Sequence, residues 1–368
     1  MNSGKEQISS KQLMFSVGCF IQGSALLTGF VAGVTKQDTW IAVISGFVIS
    51  LVIIGLYNTL ANRFPGKNII QISFSVFGPI FGRVVSLFYV FFFLSLAFLN
   101  TDIMGDFYAG YIMPETPKIV FEAMLIFICA WAVRKGVETM TRYSVLFVIL
   151  AFLVLFFNSI LLISSMKFNN FLPAFTLPIK KYVQASHTMA ILPFSEIFIF
   201  FMFFPNVKNP DGIKKAMYGG LLIGSVTFFI NVLRDISVLG SVNALYTSPT
   251  FEVVRLINVG NVLTRFEVLY ATILVILLFF KVSMVYYAAV YGVAEIFGLR
   301  SYRILVPAFG VIIVVLALSV FESAIDSAYW GKNFSAVYST FFEVILPLLT
   351  LIVAAVRKKL KNKEVEST

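Results

Sequence analysis

The sequence predicts an all-α integral membrane protein with ten transmembrane helices, arranged as a 5+5 inverted repeat in which helices 1 and 6 are discontinuous. Three observations support this fold class. The composition is too apolar for a soluble domain: 59% of the 368 residues are hydrophobic and only 12% are charged, roughly half the charged share of soluble proteins. Ten apolar stretches are long enough to cross a bilayer. Two of these stretches are interrupted at corresponding places.

The ten stretches fall within one predicted transmembrane domain, residues 12–356. Each is close to the about 20 residues that a helix needs to cross a hydrocarbon core of about 30 Å. The polar segment 1–11 predicts a cytoplasmic start, and the basic tail 357–368 predicts a solvated, disordered cytoplasmic end that suits anionic lipid headgroups. The predicted spans are 12–32, 40–62, 81–107, 118–134, 142–164, 186–204, 213–233, 266–292, 303–320 and 334–356.

The distribution of Lys and Arg predicts that both termini are cytoplasmic. With an internal N-terminus, 18 of the 28 basic residues fall in cytoplasmic segments, nine fall in external segments, and Lys281 lies within a span. This excess follows the positive-inside rule. The longest external segment, 234–265, is too apolar for a free loop and predicts short helices lying on the external face.

Composition and motifs exclude several other classes of function. The net charge of +10 does not indicate a nucleic-acid binder, because the basic residues stand in short clusters between apolar runs and form no stripe with aromatic residues. The single histidine and the lack of a metal-ligand spacing, a phosphate loop or a nucleophile–base motif argue against an enzyme, a cofactor or a bound metal. Cys19 and Cys129 lie inside apolar runs and are interpreted as packing residues.

Two spans contain residues that interrupt a helix. Gly costs about 1 kcal/mol in a helix interior, and Pro removes a backbone hydrogen bond. In hydrocarbon, such breaks are kept where the backbone lines a cavity. Taken singly, they also fit close helix packing or a simple kink. The residues at the breaks are Gln22, Gly23, Ser24 and Ala25 in span 1, and Pro193, Phe194, Ser195 and Glu196 in span 6.

The two interruptions occupy equivalent places, each near the middle of its span and five spans apart. Because five is odd, the halves 12–164 and 186–356 have opposite orientation, as in an inverted repeat with paired broken helices. The exposed N–H groups of a half-helix attract a carboxylate, and free carbonyls with an acidic side chain attract an ammonium. The pattern therefore predicts that these eight residues bind a ligand such as an amino acid near the midplane.

Two charged residues within spans require an explanation. A charge at the centre of a span costs at least about 2.5–3.5 kcal/mol, so Glu196 needs either a functional role or a structural bond to the broken backbone. Lys281 lies in the region of span 8 that, in inverted-repeat transporters, faces the span 1 break where sodium-coupled members hold a cation. Its ammonium is a candidate substitute for that ion, and snorkelling toward the inner headgroups is the alternative.

Other ionisable residues lie nearer the outer face. Asp102, in the outer half of span 3, is a candidate for an external gate or for a pair with Arg265, which otherwise fits a position at the membrane interface.

Lys281 or Glu196 is the candidate for coupling to protons. The sequence suggests no partner for Glu343 in span 10, and for His187 it favours an interfacial position over a proton relay.

A set of short motifs extends along nearly the whole chain. They are ISSKQL at 8–13, FPGKN at 64–68, LPFSE at 192–196, FFP at 203–205, SPTFEVVRLIN at 248–258, RFE at 265–267 and FFK at 279–281. With this combination the chain resembles the B subunits of bacterial spore germinant receptors. These form the GerAB-type spore germination permease family, a branch of the amino acid–polyamine–organocation (APC) transporter superfamily.

The resemblance implies the LeuT/APC-like fold, a place in the spore inner membrane, and a complex with a germinant receptor A subunit and a lipoprotein C subunit. It implies nutrient sensing rather than bulk import, with residues 22–25 and 193–196 forming the pocket. Family members usually have a Gly-small-Gly break followed by Pro in span 1. Here Ala25 takes the third position and 26–34 contains no Pro, so a tighter opening and a ligand other than a small L-amino acid are compatible with the sequence.

Three functions follow from these observations. The leading one is a receptor subunit in which nutrient binding between the broken helices favours one conformer that partner subunits detect. The second is a proton-coupled amino-acid permease. The third is a membrane scaffold or pore component that binds no small molecule.

Overall fold

The computed structural model describes residues 6–257 and 266–366, and nearly all of them are helical. The first half contains helices α1 (Ser10–Gln22), α2 (Thr28–Thr35), α3 (Thr39–Arg63), α4 (Ile69–Phe107), α5 (Lys118–Lys135) and α6 (Val137–Leu161). The second half contains α7 (Ile179–Met189), α8 (Ile213–Leu239), α9 (Pro249–Arg255), α10 (Phe266–Ile296), α11 (Val306–Ser319), α12 (Ala324–Asn333), α13 (Ser335–Thr340) and α14 (Leu346–Glu366).

Each predicted span coincides with one helix or with consecutive helical segments. Within the described ranges, seven helices are long and apolar enough to cross a membrane, and eight if α11 and α12, which are bent by 95°, form one span. Of the other predicted spans, α1 has 13 residues, and α5 carries four charged residues, Lys118, Glu122, Arg134 and Lys135. The chain is therefore a multi-pass membrane protein, and the count of ten spans stays a prediction.

Capping boxes start two helices at the same end of the molecule. Ser9 Oγ accepts a hydrogen bond from the Gln12 backbone N–H at 3.1 Å, and Gln12 Oε1 accepts one from the Ser9 N–H at 2.7 Å. Asn68 and Gln71 form the equivalent pair at the start of α4. Each box satisfies two of the four N–H groups that a helix start leaves free. A kink follows in α4 at Gly78, where a φ of 81° requires glycine.

The segment 234–265, which the sequence assigns to the outside, is described as far as residue 257. Its first six residues continue α8 through Leu239, and the predicted short helices follow. A 3₁₀ helix, Gly240–Leu245, and α9 are short and follow one another. The loop between them packs against α2 so closely that a Cβ on Gly29 would collide with the Thr247 carbonyl oxygen. The remaining residues of the segment, including Arg265, lie outside the described residues.

The predicted disorder of the basic tail was wrong for its described part. Helix α14 continues from span 10 through Glu366. No Gly or Pro follows Pro347 to end the helix, so the helical conformation of the span continues into the tail.

The core forms around α1, which packs against α6, α8 and α10. Gly220 and Gly224 of α8 leave no room for a Cβ, because Val17 and Ile21 of α1 fill that space. Small residues of this kind let two helix backbones approach closely in a membrane protein. Large apolar side chains cover the outside instead, where they suit contact with lipid: Val52 is 75% exposed, Ile80 76% and Phe127 78%.

Segments that the sequence assigns to the cytoplasm contact one another at one end of the helices. Ile8 forms a short parallel β-bridge with Val207. Glu6 accepts a hydrogen bond from the Val137 N–H at 2.7 Å and lies 3.9 Å from Arg303. These contacts join the N-terminal segment to the loops beside spans 5, 6 and 9, as a common cytoplasmic side requires.

Candidate functional site

The first interruption lies between α1 and α2. Helix α1 ends at Gln22, Gly23 follows, and a 3₁₀ turn, Ala25–Leu27, leads into α2. With a φ of −62°, Gly23 is not required for a left-handed turn. It is required for close approach, because a Cβ there would lie 2.8 Å from the Leu277 carbonyl oxygen and 3.0 Å from Lys281 Cβ. The absence of a side chain lets α10 pack directly against the break.

The second interruption replaces an α-helix with two other helical forms. Helix α7 ends at Met189, wider π-helical turns cover Ala190–Ser195, and a 3₁₀ helix covers Glu196–Asn206. Pro193 lies within the π-helical turns and has no N–H to donate. The backbone therefore changes its hydrogen-bond pattern in the middle of predicted span 6, as the sequence predicted.

Neighbouring side chains satisfy carbonyl groups at this second break. Ser195 Oγ and Ser50 Oγ donate to the Ala190 carbonyl oxygen at 2.8 and 3.2 Å. The Tyr57 hydroxyl donates to the Ser195 carbonyl oxygen at 3.2 Å. All four residues are buried, so these bonds replace contacts that water would otherwise make.

Lys281 joins the two interrupted helices. Its Nζ donates to Glu196 Oε2 and to Ser24 Oγ, each at 2.5 Å, and it lies 5.1 Å from the centroid of the Phe20 ring. Lys281 is 0% exposed, Glu196 2% and Ser24 1%. Lys281 therefore does not snorkel; its ammonium contacts a carboxylate, a hydroxyl and an aromatic face.

The pair is tolerated in the core because both charges are present. Removing one partner of a buried ion pair costs about 3–5 kcal/mol, since an uncompensated charge is left behind. The sequence required a partner for Glu196 without identifying it, and that partner is Lys281. The pair cancels its own charge and tethers span 6 to α10.

A small cavity adjoins Glu196 on the side of the segments that the sequence assigns to the outside. Its volume is about 40 Å³, and Leu27, Asn100, Trp330 and Tyr338 are among its lining residues. A single water requires at least about 10–15 Å³, so this cavity has room for a few water molecules. It is too small for an amino acid, and the site is closed in this conformation.

A larger cavity of about 240 Å³ lies further out, between α2, α4 and α12. Phe30, Ile103 and Ser327 line both cavities. These three residues, which we call the partition, border both the outer cavity and the cavity beside Glu196. A ligand that moves directly from the outer cavity to Glu196 would have to pass the partition.

Asp102 lies beside the partition and links α4 to α12. Its Oδ1 accepts a hydrogen bond from Lys118 Nζ at 2.5 Å, and its Oδ2 accepts one from Ser327 Oγ at 2.8 Å. Lys118 also lies 2.7 Å from Asp106. Asp102 is thus paired with Lys118; Arg265, its predicted partner, lies outside the described residues. Its contact with the partition suits the gating role, which remains a prediction.

Other predicted pocket residues face away from Lys281. Gln22 Nε2 donates to Thr227 Oγ1 of α8 at 2.9 Å, and Gln22 and Ala25 line a separate cavity of about 40 Å³. The Phe194 ring packs edge-on against Phe228 of α8, with centroids 6.0 Å apart. The predicted set is therefore divided between two sides of the broken helices.

Trp330 and Tyr338, two aromatic residues that line the inner cavity, were not predicted from the sequence. They belong to a series that recurs every four residues and is linked by ring contacts of 5.1–6.0 Å: Trp330, Phe334, Tyr338 and Phe342. That spacing is the signal that could have identified them.

Known proteins match this chain over most of its length. Residues 7–324 match the family described as "Spore germination protein". Spore germination protein KB of Bacillus subtilis (strain 168) is 28% identical over 366 residues, which cover 98% of this chain and 97% of that protein.

Two solved transporter structures share the fold at low sequence identity. MhsT in complex with L-phenylalanine gives a TM-score of 0.65 at 15% identity, covering 96% of this chain and 99% of that one. Mhp1, a nucleobase-cation-symport-1 family transporter, gives 0.63 at 12% identity, covering 89% and 75%. This chain therefore has the LeuT-like transporter fold, with interrupted helices in spans 1 and 6.

Proposed function

The chain belongs to the spore germination protein family, and we propose that it is the nutrient-sensing membrane subunit of a spore germinant receptor. It binds a small nutrient, most simply an amino acid, between the interrupted helices. The observation that supports this is the contact of Lys281 with Glu196 and Ser24, which joins a buried ion pair to both breaks. A purely structural helix bundle would not need breaks in two spans and two buried charges at the same place.

The chemistry of the pair suits a zwitterion. A free amino acid carries one ammonium and one carboxylate, and Glu196 and Lys281 offer the opposite charge to each. Without a ligand the two side chains satisfy one another. A bound amino acid would replace that contact with two, while the free N–H groups at the broken helices would add to the binding of its carboxylate.

The closed cavity supports a sensing mechanism based on two conformers. The space beside Glu196 is about 40 Å³, so a nutrient binds only after the partition opens. A ligand that binds only the open conformer shifts the population toward it by its differential affinity. In the proposed receptor, the A subunit and the lipoprotein C subunit respond to that shift.

The proposed setting is the spore inner membrane, with both termini in the cytoplasm. The excess of Lys and Arg in segments assigned to the cytoplasm supports this orientation. Contacts between the N-terminal segment and the loop at Val207 agree with it.

Spores that carry variants of this chain test the proposal through their nutrient response. Ser24→Trp and Ala25→Trp should change which nutrients trigger germination, because both residues belong to the break. Glu196→Gln should raise the nutrient concentration needed by roughly 10- to 100-fold, the equivalent of a charged hydrogen bond of about 1.5–3 kcal/mol. The lipid-facing variant Val52→Trp, present at the same level, should respond as the wild type does. An unchanged response of all three site variants would favour a scaffold that binds no nutrient.

A proton-coupled amino-acid permease is the second candidate, because the transporters of known structure share this fold. Uptake of labelled amino acids by the reconstituted chain, abolished by Glu196→Gln, would favour the permease. A chain that binds an amino acid without uptake would favour the sensor.

A further inference from the structure

Glu343 is a buried carboxyl group with no hydrogen bond among the described residues. It lies in a π-helical turn, Phe341–Ile345, between α13 and α14. The residue is 0% exposed, and neither Oε1 nor Oε2 has a partner. Native proteins leave few buried polar atoms unsatisfied, and ionisable residues inside a membrane are expensive and usually functional. This side chain therefore needs a specific explanation.

The turn holds the side chain inward. The Phe342 ring stacks on Phe92 of α4 at a centroid distance of 4.7 Å and an interplanar angle of 10°, whereas Phe341 is 40% exposed. Phe342 is thus held against α4, and the Glu343 side chain that follows it lies in the core, away from lipid. Single π-helical turns inside helices are frequent at functional sites.

The groups that face Glu343 do not neutralise it. Glu196, Lys281 and Tyr57 lie within electrostatic range. The Lys281 ammonium already contacts Glu196 at 2.5 Å, and the Tyr57 hydroxyl donates to a backbone carbonyl of span 6. The Lys281 ammonium therefore faces two carboxyl groups, and it is bound to that of Glu196 and not to that of Glu343.

We propose that Glu343 is a proton-binding site in the membrane-embedded core, and that it is a neutral carboxylic acid while Lys281 is held by Glu196. Binding of one proton to the carboxylate removes the excess negative charge and needs no additional ligand. A metal cation would need several oxygen ligands, and the described residues contain no group of three or more His, Cys, Asp or Glu that could hold one. The nearby Lys281 ammonium would also repel a second cation.

The site gives the core a second charge arrangement. If Lys281 leaves Glu196, Glu343 is the other carboxyl group within its range. Glu343 then gives up its proton and pairs with the ammonium, while Glu196, buried and left without the cation, takes up one proton. A change of partner by Lys281 thus moves the protonated site from Glu343 to Glu196 and leaves the net charge of the core unchanged.

Infrared spectroscopy of the reconstituted full-length protein tests the proposal directly. The wild type should show the C=O stretch of a buried protonated carboxylic acid, and Glu343→Gln should remove that band. Glu122→Gln, which changes another buried glutamate far along the chain, should leave it in place. Glu196→Gln should weaken it, because Lys281 becomes available to Glu343. A wild-type spectrum without a band that depends on Glu343 would overturn the proposal.

Thermal stability provides a second measurement that does not depend on the band. Glutamine has the size and the neutrality of a protonated glutamate, so Glu343→Gln should shift the melting temperature by no more than a few degrees. A large loss of stability would mean that an ionised Glu343 supports Lys281, against the proposal. The melting temperature should also be equal in sodium and choline chloride. A sodium-dependent increase that Glu343→Gln abolishes would assign the site to a metal cation instead.

Discussion

Lys281 is held by groups from two different spans, which explains how an ammonium is tolerated in the core. Glu196 of span 6 supplies the opposite charge, while Ser24 and Phe20 of span 1 supply a hydroxyl and an aromatic face. The cation–π contact contributes roughly 0.5–2 kcal/mol, less than the cost of leaving either charge unpaired. Loss of one partner of the charge pair is therefore expected to cost more than loss of the cation–π contact.

Removing the ammonium should be more harmful than removing the whole pair. Lys281→Met leaves Glu196 buried and uncompensated, so we expect a loss of stability of about 3–5 kcal/mol. The double variant Lys281→Met with Glu196→Gln leaves no unpaired charge and should regain most of that loss. Thermal unfolding of the purified protein measures both. Additive losses in the double variant would mean that the two side chains do not act as a pair.

Gly23 should not tolerate even a methyl group. Gly23→Ala places a Cβ 2.8 Å from the Leu277 carbonyl oxygen, and that backbone atom cannot move aside as a flexible side chain can. We expect a loss of about 1–3 kcal/mol from overpacking, measured by thermal unfolding. Gly110→Ala is the matched control, because a Cβ at Gly110 would meet no described atom within 4 Å. Equal stability of the two variants would contradict the close approach of α10.

At the scale of elements, span 6 remains folded because neighbouring helices compensate for its break. The span changes from α-helix to π-helical turns and then to a 3₁₀ helix within one buried segment. In hydrocarbon an unsatisfied backbone group is costly. Tyr57 and Ser50 of α3 donate to carbonyl oxygens at the break, so span 2 and span 6 form one structural unit.

Loss of one such donor should weaken the unit. Tyr57→Phe removes the hydroxyl that bonds to the Ser195 carbonyl oxygen, and a buried unsatisfied acceptor costs about 1–3 kcal/mol. The expected result is a lower melting temperature of the purified protein. Tyr143→Phe should have no effect, because the Tyr143 side chain is 52% exposed. A Tyr57→Phe variant as stable as Tyr143→Phe would show that the carbonyl is satisfied in another way.

At the scale of the whole molecule, the two cavities on the predicted outer side indicate a closed conformation of the proposed site. The outer cavity has a volume of about 240 Å³ and the inner one about 40 Å³. The partition between them includes Ser327, whose hydroxyl donates to Asp102. Helix α12 therefore lies beside both cavities, and its movement away from α4 is the change that we expect to open the proposed site.

Thiol labelling should detect this closure. The native cysteines Cys19 and Cys129 are both buried, so their background reactivity is low. Ala328→Cys in the outer cavity should react with a membrane-impermeant reagent added outside, whereas Ser335→Cys, lining the inner cavity, should be protected. A nutrient that opens the partition should raise the rate at Ser335→Cys.

The same assay has an internal control for orientation. Lys208→Cys, exposed in the loop after span 6, should react only after the membrane is permeabilised. Labelling of Lys208→Cys from outside would reverse the proposed orientation. Equal rates at Ala328→Cys and Ser335→Cys without a nutrient would contradict a closed site.

The sequence alone determined the helices and the breaks. Each predicted span falls on helical segments, because a bilayer requires a long run of apolar residues, but helices α4, α7, α8 and α14 extend beyond the predicted bounds. Gly23 and Pro193 identified the interruptions, because both residues weaken helices for local reasons. The tail differed, since the absence of helix breakers let α14 continue where charge had suggested disorder.

Only the tertiary structure decided which charged residues meet. Whether Lys281 contacts Glu196, Asp102 contacts Lys118, or Glu343 remains unpaired depends on the rotation and depth of helices that are distant in the chain. Hydropathy reports how deep a residue lies but not which side of its helix faces a neighbour. The division of the predicted pocket residues between two sides of the break has the same cause. The helices are thus determined by local sequence, whereas the site depends on how the helices pack against one another.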